Sequence, residues 1–291
     1  MSNVQLKTFD FKSLSQLEMN TFITIVGMTK SGKGYWANEC LYWLNKSKKA
    51  GHYKDIFLFS KTADIQDPEK YFPMIPDNRR YTDLENINKI IEIRKKSKKK
   101  ENVMIILDDI TSMKENGKMF RNSESVINLA CHGRHLNLSV LCLLQKDTLV
   151  SPIIRTNSSY VINFLAKSYR DLVSVKERYL SLVDKKTADQ VFNDVFSKPY
   201  QCLVCDQAKP GTVNILDFCY KSIAPAKLRK FNLNLNINPN SQNKNKSNIY
   251  SNDEVNKIFQ TFTPQSRVKW EIQPNTRANT KGKRTRSRKY G

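Results

Sequence analysis

Five apolar runs punctuate the chain, at residues 22–26, 55–60, 103–107, 138–144 and 160–164, and none of them alternates cleanly between apolar and polar positions. Runs of this kind are strands buried on both faces, the pattern of a parallel sheet with helices on either side. The segments between them carry helical spacing. A helix is expected over about 34–47. Another starts near Asp83, with Leu84, Ile87, Ile90 and Ile91 on one face, and ends in the basic run Arg94-Lys95-Lys96-Ser97-Lys98-Lys99-Lys100. The pattern predicts a third helix running from the end of the 103–107 strand to about Cys131. It also predicts one helical stretch over 168–196, and a hairpin pairing 200–205 with 213–218 around Lys209-Pro210-Gly211-Thr212. Strand and helix alternate throughout, which predicts an α/β fold around a central, mostly parallel sheet.

The apolar segments stop near Phe231. This divides the chain into an N-terminal extension (1–20), one folded domain (21–231) and an Asn-rich, basic tail (232–291). The tail closes on Lys281-Gly282-Lys283-Arg284-Thr285-Arg286-Ser287-Arg288-Lys289 and holds too little large apolar surface to order itself. Its basic end reads either as a DNA-binding arm or as a nuclear import signal.

Forty-nine Lys and Arg against 27 Asp and Glu leave a formal charge of +22, which points to a polyanionic partner held through phosphate contacts. The basic run at 94–100 is either a solvated helix end that complements the helix dipole or a surface facing nucleic acid. The six cysteines lie mostly inside apolar patterns, as reduced core residues of an intracellular protein do. Cys202 and Cys205 have metal-like spacing but fall on opposite faces of a strand. His132 and His135 lack partners at ligand spacing. No apolar stretch approaches the ~18 residues needed to span a bilayer, and the first twelve residues carry no signal core, so neither a membrane anchor nor secretion is expected.

The chemistry concentrates at strand ends. Directly after 22–26 the chain reads Gly27-Met28-Thr29-Lys30-Ser31-Gly32-Lys33-Gly34-Tyr35, and then turns helical. A strand, a glycine-bounded turn and a helix N-terminus in that order form a phosphate-binding loop. Its backbone N–H groups converge on phosphate oxygens, and Lys33 reaches the terminal phosphates. Gly34 stands where a Ser or Thr hydroxyl ordinarily touches Mg²⁺. The strand 103–107 ends in Asp108-Asp109. In a phosphate-loop fold that end faces the phosphates, so Asp108 is expected to hold Mg²⁺ and Asp109 to orient or deprotonate the attacking water. The strand 138–144 ends at Gln145, which falls beside Asp109 as a polar sensor of water or γ-phosphate. Arg134 precedes that strand and lies at the far edge of the sheet, where it can serve only a neighbouring subunit. Arg155 is the second candidate for that duty.

The loop around Lys33, Asp108-Asp109, Gly133-Arg134-His135 before the strand ending in Gln145, and Pro152-Ile153-Ile154-Arg155-Thr156-Asn157 together resemble the genome-packaging ATPases of poxviruses, other large DNA viruses and virophages. These belong to the FtsK/HerA group of P-loop DNA pumps, and the likeness covers about residues 20–220. The resemblance implies a RecA-like P-loop NTPase fold, ATP and Mg²⁺ as ligands, and a ring of identical subunits that moves double-stranded DNA into a capsid. It also implies contacts with capsid vertex proteins and a place at a viral assembly site in the cytoplasm or nucleus, or in the virion. Two positions depart from the group's pattern: Gly34 for Ser or Thr, and Asp109 for Glu. Another P-loop DNA helicase, or a non-hydrolysing DNA-binding or capsid-scaffold protein with a degenerate nucleotide site, stays open as an alternative. Phosphate release separates the second of these from an enzyme.

Overall fold

The apolar runs assemble into one nine-stranded sheet. The computed structural model describes residues 5–63, 65, 71–98, 101–115, 118–209, 211–233 and 235. Its strands are β1 (Lys7–Thr8), β2 (Phe22–Val26), β3 (Asp55–Ser60), β4 (Arg80–Tyr81), β5 (Val103–Asp108), β6 (Lys114–Glu115), β7 (Lys118–Met119), β8 (Leu138–Leu144), β9 (Tyr160–Phe164), β10 (Gln201–Asp206) and β11 (Cys219–Ile223). The helices are α1 (Lys33–Asn45), α2 (Glu85–Lys96), α3 (Glu124–His132), α4 (Pro152–Asn157), α5 (Tyr169–Tyr179), α6 (Lys185–Val195) and α7 (Ile215–Phe218). The sheet order is β1-β11-β10-β9-β2-β8-β5-β3-β4. The strands β9, β2, β8, β5, β3 and β4 run parallel, and β10 is antiparallel to both its neighbours.

Both faces of this sheet are covered, which is why its strands read as continuous apolar runs. Ile23, Ile25, Ile56, Leu58, Met104 and Ile106 pack on the α1 side, whereas Phe22, Val26, Phe57, Phe59, Ile105 and Leu107 pack on the side of α2 and α3. A third cluster joins α5 and α6 to β9, β10 and β11. Cys202 and Cys205 belong to different clusters, on opposite faces of β10.

The helix that follows the phosphate loop is buried almost all round. Residues 36–41 of α1 are buried in succession, because a second layer lies over them. Phe11 packs its ring 4.9 Å from that of Trp36, and Arg229 grips Glu39 through two hydrogen bonds of 2.7 and 2.8 Å. Residues 5–20 are therefore tied to this domain, with Lys7 and Thr8 paired to β11 and Leu6, Phe9 and Leu14 buried. At the other end Leu233 and Leu235 pack on the α1 side, and residues 234 and 236–291 of the tail lie outside the described residues.

Three expected elements differ. The helix predicted between Asp108 and Cys131 is confined to α3. Asp109 takes a left-handed φ of 50°, a short β6–β7 ribbon follows, and Ser123 then caps α3 by accepting from the Val126 N–H. The stretch 168–196 is two helices, because the chain breaks after Tyr179 and Asp184 caps α6 by accepting from the Thr187 N–H. The hairpin partner of β10 is 219–223 rather than 213–218, since Asn214 caps the single turn of α7. In the basic run, Arg94 is buried and donates to the carbonyls of Leu136 and Glu101, so it ties α2 to the sheet instead of facing a partner.

Candidate functional site

The site forms where β2, β5 and β8 end at the same edge. Gly27 leaves the sheet with its N–H still bonded to the Leu144 carbonyl at 2.9 Å. The loop then turns through a left-handed Lys30 (φ 63°) and Gly32 (φ 102°) before the first α1 hydrogen bond, from Trp36 to Gly32. No side chain caps that helix. Its first N–H groups, which have no partner inside the helix, are thus directed into the loop, a ready concavity for an anion. The turn is crowded from behind. A Cβ on Gly27 would lie 2.5 Å from the Ser31 hydroxyl oxygen and 2.8 Å from Phe164 Cβ, and one on Gly32 would lie 2.7 Å from Ala224 Cβ.

Gly32→Ala combines that collision with a backbone conformation that other residues rarely adopt. We expect it to destabilise the fold by about 1–3 kcal/mol, measured as a lower midpoint in chemical denaturation. A midpoint equal to that of the native chain would show that the loop relaxes freely.

Lys33 Nζ donates to the Gly27 carbonyl at 2.7 Å. Burial lowers its pKa, and the charges of Asp108 and Asp109 oppose that shift. Asp108, 8% exposed at the end of β5, has its pKa raised by burial against the opposing hydrogen bond from Tyr71 and the Lys33 charge. The Tyr71 hydroxyl donates to Asp108 Oδ2. Asp109 is half-buried and accepts 2.7 Å from Gln145 Nε2. Lys33, Asp108, Asp109 and Gln145 line one cavity of about 800 Å³. Tyr35, Tyr200, Ile223, Ala224, Pro225 and Leu228 complete its lining.

The two candidate arginines lie elsewhere. Arg134 is exposed in the turn before β8, at the edge opposite the loop. Arg155, half-buried on α4, turns its guanidinium onto the Val150 carbonyl at 2.8 Å. His132 and His135 are exposed, and among the described residues no cluster of three or more His, Cys, Asp or Glu side chains is arranged to hold a metal ion. No helix among them is long and apolar enough to cross a membrane.

Two contributions escaped the sequence reading. Tyr71 belongs to a loop whose only sequence signal is its richness in Asp and Pro, and Tyr200 with residues 223–228 arrives from the far end of the domain. Ser60 pairs with Asp108 in register, so the loop after β3 must leave beside that carboxylate. The sheet order, which only the fold supplies, was the missing signal.

The chain is similar to several known proteins. Protein L437 of Acanthamoeba polyphaga mimivirus, an uncharacterized protein, is 24% identical over 276 residues, 88% of this chain and 89% of its own. Among solved structures, the genome packaging NTPase B204 of Sulfolobus turreted icosahedral virus 2, in complex with AMPPCP, is similar at a TM-score of 0.45 and 17% identity, over 65% of this chain and 93% of that one. ATPases 2 and 3 of EssC from Geobacillus thermodenitrificans are similar at a TM-score of 0.45 and 16% identity, over 69% and 42% of the two chains. Residues 6–208, more than half of the chain, match the family described as Poxvirus A32 protein, and they hold every element that carries the loop, the two aspartates and Gln145: the chain belongs to that family.

Proposed function

We propose that this protein is a viral DNA-packaging ATPase that works as a ring of identical subunits and moves double-stranded DNA into a capsid. The observation that carries the reading is the convergence of the Lys33 loop, Asp108 and the Asp109–Gln145 pair on one cavity. The family membership and the charge of +22 support a polyanionic cargo.

In this reading ATP is the substrate, with its phosphates in the loop and its base against the Tyr200 and Pro225 wall. Lys33 releases the Gly27 carbonyl and compensates the charge of the terminal phosphates. Asp109 accepts a proton from water as the water oxygen bonds to the γ-phosphorus. The bond from that phosphorus to the β–γ bridging oxygen breaks, leaving ADP and phosphate. Gln145, bonded to Asp109, exchanges that partner for the water or the γ-phosphate and so registers the loss of phosphate. Two residues on, buried Asp147 holds α5 through Ser174, Arg178 and Tyr179, a direct physical route from the sensor to the neighbouring layer.

The donor set fits Mg²⁺ brought in by the nucleotide rather than a resident ion, since Asp108 offers carboxylate oxygen and the remaining ligands would be phosphate and water. Asp108 would hold the ion, whose chemistry is to neutralise charge on the phosphates.

The test is phosphate release and displacement of a triplex-forming strand from a linear duplex. Duplex DNA is expected to stimulate release more than single strands do, and the triplex is expected to be displaced only with hydrolysable ATP. Absence of release would leave a non-hydrolysing DNA-binding or scaffold role. Preference for single strands would favour a helicase.

Asp109→Asn is expected to bind ATP as the native chain does, because Asp108 remains and an amide still reaches Gln145. Turnover should fall by at least ~10²-fold through loss of the base. Loss of binding together with turnover, read by nucleotide titration, would reassign Asp109 to the metal.

A further inference from the structure

Asp108 accepts the hydroxyl of a residue remote in sequence, and the loop that delivers it is held in place. Arg80, with only 4% of its side chain exposed, donates through Nη2 to the carbonyls of Tyr71 (3.0 Å), Phe72 (2.9 Å) and Ile75 (3.1 Å). One guanidinium thus closes the turn 71–75. Phe72 is buried with a left-handed φ of 50°, and its ring meets that of Tyr71 edge-on at 4.8 Å. A non-glycine residue kept in that conformation marks a turn over-determined by its surroundings. What the turn presents is the Tyr71 hydroxyl, on Asp108 Oδ2.

The phosphate loop lacks the hydroxyl that position 34 ordinarily provides. Gly34 and Tyr71 line the same cavity as Asp108, and a Cβ added at Gly34 would meet nothing within 4 Å. The position is therefore not glycine for want of room.

We propose that Tyr71 is a positioning residue that supplies, from the β3–β4 loop, the hydroxyl missing at Gly34: it donates to one oxygen of Asp108 and turns the other toward the Mg²⁺ of bound ATP. This rests on the ATPase reading above. The Tyr71 hydroxyl acts on Asp108 rather than on the ion, and so offsets the oxygen absent at Gly34 by fixing the carboxylate that remains. Arg80 acts through Tyr71 by holding its backbone.

The test uses the full chain, a fluorescent ATP analogue, and Mg²⁺ titrated from an EDTA-buffered start, so that binding is read without turnover. Tyr71→Phe removes only the hydroxyl. It is expected to raise the Mg²⁺ concentration for half-maximal binding by about tenfold, the weight of one hydrogen bond to a charged group, while binding in EDTA stays unchanged. Arg80→Lys, which keeps the charge but loses the fork, should shift the same midpoint in the same direction. Adding Gly34→Ser to Tyr71→Phe should bring the midpoint back toward the native value, and Gly34→Ser alone should change it less than it does in that background. A Tyr71→Phe midpoint equal to the native one, or a failure of Gly34→Ser to rescue it, overturns the proposal and leaves the ATPase reading standing. A native chain that binds no nucleotide with or without Mg²⁺ overturns both.

Discussion

Lys33→Ala should reduce ATP turnover by at least about 10³-fold, with or without DNA. The ammonium is partly buried at 2.7 Å from the Gly27 carbonyl and faces both Asp108 and Asp109. Without it, two carboxylates and a backbone oxygen confront the terminal phosphates of ATP. Water screens that repulsion poorly in a half-enclosed cavity. The fold itself should hold, because the substitution removes one hydrogen bond, from Lys33 Nζ to the Gly27 carbonyl, worth about 1 kcal/mol. Phosphate release measured beside far-UV circular dichroism separates the two effects. Asp108→Ala is expected to be equally inactive, through loss of the metal carboxylate. Turnover within tenfold of the native chain in either variant would show that the 27–34 loop is not the catalytic phosphate site.

Arg134→Ala should cost between about 10³ and 10⁵ in turnover, the range for an arginine that stabilises transition-state charge from a neighbouring subunit. Distance is the reason. Arg134 sits before β8 and Gln145 directly after it, and a seven-residue strand at about 3.3 Å per residue separates the two by more than ~20 Å. The side chain cannot reach its own subunit's phosphates across the sheet. Mixing Arg134→Ala chains with Lys33→Ala chains should restore part of the activity, since only the mixture contains interfaces that join an intact Lys33 site to an intact Arg134. The same mixture made with Arg155→Ala tests the alternative. Arg155 already spends a hydrogen bond on the Val150 carbonyl, so Arg134 is the better placed of the two. Normal turnover by homogeneous Arg134→Ala and Arg155→Ala chains in the presence of DNA would reject action between subunits.

Where the sequence misled, a long periodic pattern masked a short local signal. The residues after Asp108 carry enough helical spacing to suggest a continuous helix. The left-handed turn at Asp109 and the Ser123 cap instead delay the helix to Glu124. Similarly, the apolar spacing over 168–196 continues across a break that Asp184 makes by capping the next helix. Caps and single left-handed residues carry little weight against a long periodic pattern, yet each changes where backbone hydrogen bonds close.

What the sequence determined by itself is whatever chemistry lies within one strand and the turn after it. The loop from Gly27 to Gly34, the acids ending β5 and the glutamine ending β8 are each local, and the parallel order implied by buried strands is enough to bring them to one edge. Tertiary structure decided what covers and orients them. Residues 9–17 and Arg229 lie over α1, residues 223–226, Leu228 and Tyr200 line the cavity, and Tyr71 reaches Asp108 from a loop held by Arg80. These partners are separated from the site by tens to nearly two hundred residues of chain. Their contacts depend on sheet order, register and the fit of one guanidinium to three carbonyls, and no short window of residue types encodes such long-range geometry.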